Sequence, residues 1–430
     1  MIRLIHRLTP LFAGAFLSLV AWPALSADLD AIAARFQELG IKVSGKEANP
    51  ASVGKANYLS IPWEADGFND QDLAMIAELD KLGSLSLAAR KNITPKGVAA
   101  LAKSGSIKTL SLGSVWVGKE GLEALGAMKT LEDLNLSDAK GITVAGLEAL
   151  AKSKSITRLN LYNAPIADKG IRAITGMEQL EELNLSHAKG VSPENAILIG
   201  NLMNLRKLDL SDTFIDDSVL AALTDHPMLR ELRLDQVDTI TDEAFLYLGT
   251  LPQLASLSLN DTLITGSGFG DLAGAKRLTR LYIQRAKLSD ESAKPISNLT
   301  GLEEIYLDDN AIGDGLAAEI GQLRQLSSLS ISNSGIGDEG FKAIANLSEL
   351  KNLQANKTAV TDTGVNALVL PSLQYFSANE TGLSDAALKV FLGRDKMYSV
   401  NLRKTGVTKE AIDKALADNK AVNDKLKIYN

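Results

Sequence analysis

The sequence predicts an α/β solenoid, a horseshoe or arc in which a parallel sheet lines the inside and helices cover the outside. Two observations carry that expectation. An apolar pattern, L-x-x-L-x-L, recurs every 23 to 25 residues in fourteen tandem copies, from Leu82 to the copy that starts at Met397. Within each copy the apolar period switches. In LNLSDAKGITVAGLEAL, Leu134 and Leu136 alternate with Asn135 and Ser137 as in a half-buried strand, whereas Leu147 and Leu150 share one face of a helix. A unit this short cannot bury its apolar face alone, so neighbouring units must stack. Parallel strands stack ~4.8 Å apart and helices ~10 Å apart, which bends the stack with its strands inside.

The elements follow in order. Residues 1–26 read as a signal peptide, with Arg3 and Arg7, an apolar run, then Pro23 and small residues. Cleavage after Ser26 and after Ala27 fit equally. The run is short for a span of ~20 apolar residues, and no later segment could cross a bilayer. The mature chain is therefore expected to be exported, to a periplasm or out of the cell, without a membrane span. Residues 27–81 should cap the stack, with a helix from Asp28 and strands in IKV and NYLSIPW around the polar loop SGKEANPASVGKAN. Residues 82–407 hold the fourteen units, and 408–430 should form a polar C-terminal capping helix.

Within the units, Thr94, Thr143, Ser192 and Thr241 sit where a helix N-cap is needed, while Ala167 is a poor substitute. Aspartate follows the cap at Asp168, Asp217, Asp242 and Asp338, where it should face the positive end of its helix. Much of the acidity is thereby structural. In the twelfth and thirteenth units the third strand leucine shrinks to Ala355 and Ala378, so the core should thin towards that end.

The pattern at Leu131, Leu134 and Leu136, and at Leu302, Ile305 and Leu307, resembles the leucine-rich repeat family, whose signature is L-x-x-L-x-L-x-x-N/C-x-L. The resemblance runs from Leu82 to about Val407. It departs at the N/C position, filled here by Ala164, Thr213, Thr262, Asn310 or Ser334. The second half of the unit, as in ITDEAFLYL from Ile240, is similar to the I-T-D-x-G-L repeats found beside F-box domains and in bacterial exported relatives. The resemblance implies a non-catalytic scaffold that binds a macromolecule on its concave face. It also leaves open the substrate-recognition part of a ubiquitin-ligase-like effector, although no F-box is visible.

Composition narrows the chemistry. There is no cysteine, so disulfides, thiolate metal sites and thiol nucleophiles are excluded. The net charge of -7, which becomes -9 once Arg3 and Arg7 leave with the leader, argues against a nucleic-acid partner. Beyond the leader only His187 and His226 remain, and both read as surface loop residues without a ligand role. Asp308, Asn310, Gly313 and Glu319 have the spacing of a calcium loop, but Ile312 stands where an oxygen ligand is required. No catalytic, metal or cofactor site is expected.

What remains is the concave strand face. Most of its middle column is Ser or Asn; Arg233, Tyr282 and Tyr306 stand out, flanked by Arg280, Gln284, Glu304 and Asp308. Arg158 and Tyr162 form a weaker second patch. Tyrosine and arginine dominate binding hot spots, although adjacent tyrosines could equally pair to stabilise the sheet. The expected ligand is a protein. An envelope polysaccharide is the alternative, and a purely structural spacer the third reading.

Overall fold

The structure, a computed structural model, describes residues 27–87, 89 and 91–430. The leader read in residues 1–26 lies outside them. The described chain forms a 16-stranded parallel sheet whose strands follow one another in sequence order, from Tyr58–Ile61 to Lys427–Tyr429. A short α-helix or 3₁₀ turn joins each strand to the next, giving the expected α/β solenoid. Equivalent positions are in register, so Leu134 pairs with Leu159 and Leu159 with Leu183.

The period switch is the geometry of burial. Leu131, Leu134, Leu136, Leu147 and Leu150 are all at most 2% exposed, three from the strand side and two from the helix side of one interior. Each such burial contributes roughly 1.5–3 kcal/mol, and it exists only because the next unit covers it. After each strand from Ser84–Leu87 to Ser399–Asn401 one residue takes a positive φ to turn the chain towards its helix. Asp138, Asn163, Asp212, Asp261, Asp309 and Asn333 hold that place in their units, residue types that tolerate the left-handed region.

The ends differ from the sequence reading in two respects. The helix Leu29–Glu38 begins at Asp28, whose carboxylate accepts from the Ala31 N–H. The loop expected after it contains a strand, Lys46–Glu47, paired antiparallel with Lys42–Val43 outside the large sheet. It also contains a helical turn, Pro50–Val53, closed by a reciprocal Asn49–Ser52 capping box. These are local polar signals that apolar periodicity does not register. Arg35 then ties the capping helix to Asp72 of the helix Asp70–Ile76 at 2.8 Å, with Asp72 only 3% exposed. At the other end the helix Lys409–Asn419 is followed by a strand, Lys427–Tyr429, which pairs with Ser399–Asn401. Its single inward residue, Ile428, gave no period to read.

Ala355 and Ala378 are fully buried. The thirteenth unit supplies volume elsewhere, through the buried rings of Phe376 and Phe391 with centroids 4.8 Å apart.

The aspartates after the caps do more than face their own helices. Each reaches sideways to the next unit's cap. Asp217 accepts from the Thr241 hydroxyl at 2.6 Å, Asp338 from the Thr361 hydroxyl at 2.7 Å, and Asp385 from the Thr408 hydroxyl at 3.0 Å. Asp314 takes the N–H groups of Gly337 and Gly340, so units without a hydroxyl cap join the same ladder. Burial pushes the Asp338 carboxyl up, but donation from the Thr361 hydroxyl and from the Thr361 and Gly364 N–H groups outweighs it, and its pKa is lowered. A carboxylate depressed by folding stabilises the fold above its unfolded value of ~3.9, and that stability is lost as pH falls through the folded value. Asp338→Ala should therefore cost about 2 kcal/mol at neutral pH. Thermal melting at pH 7 and pH 3 checks this: the gap between variant and parent should shrink in acid.

Candidate functional site

Strand register arranges the concave face into columns. In the first column charges alternate from strand to strand: Asp133, Arg158, Glu182, Lys207 and Glu231 are successive partners. Arg158 meets Asp133 at 3.1 Å and Lys207 meets Glu231 at 3.6 Å. Two ion pairs thus occupy four of these five charged groups, and a shallow depression of about 380 Å³ lies above them. The alternation stops at Ser256, the partner of both Glu231 and Arg280.

The middle column changes its work at the same place. Asn135, Asn160, Asn184 and Asp209 each accept the N–H two residues further along their own strand, at 2.8–3.0 Å. From the strand Glu231–Arg233 onward that duty passes to the third column and runs between units. Asp235 accepts from the Ser258 hydroxyl and the Asn260 N–H, Asn260 from the Gln284 N–H, and Asn356 from the Asn379 N–H. The middle column no longer has to accept its own chain's N–H, although Ser258 and Ser330 still donate to the third column, and that is where Arg233, Tyr282 and Tyr306 occur.

The predicted residues separate into two groups. Tyr282 and Tyr306 are register partners, and their rings stack with centroids 4.9 Å apart and planes 8° apart. The Tyr306 hydroxyl lies 3.3 Å from both Glu304 Oε2 and Ser328 Oγ. Burial raises the Tyr282 phenol, with help from Glu304 and Tyr306, while Arg280 and Arg233 pull it back. Arg280 and Glu304 are partners in register but form no ion pair. Among the described residues neither the Arg233 nor the Arg280 guanidinium has a hydrogen-bond or salt-bridge partner; with Tyr282 they line a second depression of about 360 Å³ over Ser256 and Ser258. Gln284 and Asp308 are committed elsewhere. Gln284 donates to Asp308, which also holds the Ser330 hydroxyl at 2.5 Å and the Ser332 N–H at 2.7 Å, so this pair belongs to the unit-to-unit ladder.

In the second patch Arg158 is occupied by Asp133, as described. Tyr162 stands edge-on to His187 at 4.8 Å, and His187 Nδ1 lies 2.6 Å from Asp212, which also meets Lys189 at 3.1 Å. Sequence reading missed a third cluster at the C-terminal end. Tyr375 and Tyr398 pair with centroids 5.8 Å apart, and Arg403 lies over the Tyr429 ring at 5.9 Å. Tyr375 was legible in the first column, whereas Tyr429 depended on the unforeseen last strand.

The family models agree with this geometry. One for Zer-1-like leucine-rich repeats matches residues 122–235, and one for a leucine-rich repeat matches 322–345. Over these residues the chain carries leucine-rich repeats. An internalin of Listeria monocytogenes has the same fold at 23% identity, with a TM-score of 0.58, over 78% of this chain and 88% of the other. A leucine-rich repeat protein of Leptospira interrogans is 19% identical, with a TM-score of 0.58, over 83% and 92% of the two chains. No curated protein matches. Within the repeats, the family's asparagine position is occupied in kind at Asn310, whose amide donates to the Ile283 and Leu307 carbonyls, and in reduced form by Thr213 and Thr262, which donate to the carbonyl three residues back.

One histidine departs from the sequence reading. His226 is only 2% exposed: its Nε2–H donates to the Leu202 carbonyl at 3.0 Å, and Nδ1 accepts from the Met228 N–H at 3.4 Å. It caps one repeat against the next, and the proline after it, Pro227, suggested a loop without revealing the burial. Desolvation lowers its pKa despite the backbone hydrogen bonds. The fold thus favours the neutral ring, so its stability contribution is intact above the unfolded value of ~6.5 and falls as pH drops below it. Melting temperatures across pH 7.5 to 5 should decline less steeply in His226→Gln than in the parent.

Proposed function

We propose that the protein is an exported, non-catalytic scaffold that binds a protein ligand on its concave face, centred on Arg233, Arg280, Tyr282, Glu304 and Tyr306. The observation that carries this reading is the coincidence at one place of a broken charge ladder, two guanidinium groups without partners and a stacked tyrosine pair. On the N-terminal half Asp133 with Arg158 and Lys207 with Glu231 are already paired. A ligand there would have to displace existing ion pairs, whereas here it gains contacts without breaking any. Stacked rings on a rigid sheet also lose little freedom on binding. An envelope polysaccharide is the second reading. The exposed rings of Tyr375 and Tyr398, which offer flat apolar faces to a sugar, favour it.

The double variant Tyr282→Ser/Tyr306→Ser tests the site. Because the rings stack, stability should fall by about 1 kcal/mol. Affinity for a partner captured from the native envelope should fall by ~2 kcal/mol or more, roughly thirtyfold. Melting and binding measured on the same variant separate the roles: a lowered melting point with unaltered affinity would assign the tyrosines to the sheet alone.

A further inference from the structure

The first repeats carry a second surface, on the edge where strands turn into helices. Trp116 is 56% exposed, yet it is not loose. Its indole lies directly against the backbone of Gly141, which has φ +72°, and a side chain there would come within 2.2 Å of the indole nitrogen. Trp116 pairs with Lys140 across a β-bridge, and Lys91 holds the equivalent place in the preceding unit. Together with Ala89 and Ser114 these three residues line a depression of about 450 Å³. Among the described residues neither lysine has an ion-pair partner. Trp63, 73% exposed, leaves the sheet by the same edge two strands earlier, ~10 Å away in strand spacing.

Charge sets this end apart. Residues 81–119 contain seven lysines and arginines and no aspartate or glutamate, in a chain whose net charge is -7. Of the acids around them, Glu132 is paired with Lys108, while Asp70 and Asp138 accept from the neutral side chains of Thr94 and Asn163 and keep their charge. Glu64, Asp66, Glu78, Asp80, Glu120 and Glu123 are exposed acids around that stretch, whereas the depression itself is lined by Lys91 and Lys140 with no acid.

We propose that this lip, centred on Trp116, Lys91 and Lys140, docks the protein on membrane surfaces rich in anionic phospholipid. Indole rings seat at the boundary between headgroups and acyl chains, and lysines beside them reach the phosphates. Two indoles leaving one edge suit a planar surface better than a single polymer strand. The acidic remainder of the molecule would be repelled by the same surface, which orients the solenoid with its first repeats against the membrane and its later repeats away from it.

The test uses the protein as isolated from its producing cells, with vesicles of phosphatidylglycerol and phosphatidylcholine in equal parts and vesicles of phosphatidylcholine alone. Binding should occur to the first and be nearly absent with the second, and tryptophan emission should shift to the blue. Lys91→Gln/Lys140→Gln should weaken binding roughly thirtyfold. Trp116→Phe should remove about half of the emission shift and leave the part contributed by Trp63, with melting curves of both variants confirming the fold. Absence of binding to the anionic vesicles, or binding unchanged in the lysine variant, overturns the proposal. So does equal binding to a soluble anionic polysaccharide without an emission shift, because that outcome assigns the lip to a polymer.

Discussion

A unit of about 24 residues has two apolar edges and no means of burying them except against its neighbours. That constraint governs the rest of the structure. It requires every unit to present the same inward residues at the same heights, so the strands lock in register and outward side chains fall into columns. It also makes the junction between units the place where stability is decided. The polar groups used there, from the Asp338–Thr361 link to the His226–Leu202 bond, reach from one unit to the next rather than closing within a unit.

The same columns explain why the candidate site lies where it does. As long as the middle column must hold its own strand's N–H, as Asn135 and Asp209 do, its side chains cannot serve a ligand. Transfer of that task to Asp235 and Asn260 frees the next positions for arginine and tyrosine. The break in the charge ladder at Ser256 then removes an acidic neighbour from one side of Arg280, and Ser258 stands likewise beside Arg233 in the middle column. Structural economy in one column and chemical opportunity in its neighbour are two sides of one change. The Trp116 edge obeys a related logic, since the backbone of Gly141 supports an indole whose outer face stays exposed.

Periodic features were legible in the sequence because each is repeated and carried by apolar residues: the strand leucines, the helix leucines and the order of the sheet. Single events were less so. The strand at Lys427–Tyr429 and the hairpin at Lys42–Glu47 have too few inward residues to show a period. The central tyrosines were visible as departures from a Ser/Asn column, but the commitment of Gln284 and Asp308 was not, because a carboxylate that holds a neighbouring strand and one that awaits a ligand look alike in one dimension. His226 misled for the opposite reason: its neighbour Pro227 marks a turn, and burial of a turn depends on the adjoining unit.

The central claim is that partners meet the concave face and leave the helical face alone. Incorporation of a photo-reactive benzoylphenylalanine at Ser256, which lies between the two free arginines, and at Lys342, on the exposed side of the helix Asp338–Ile344, tests this most directly in the native envelope. The account predicts that illumination joins a discrete protein to the chain from Ser256 and none from Lys342. Cross-linking from Lys342 with none from Ser256 would contradict it.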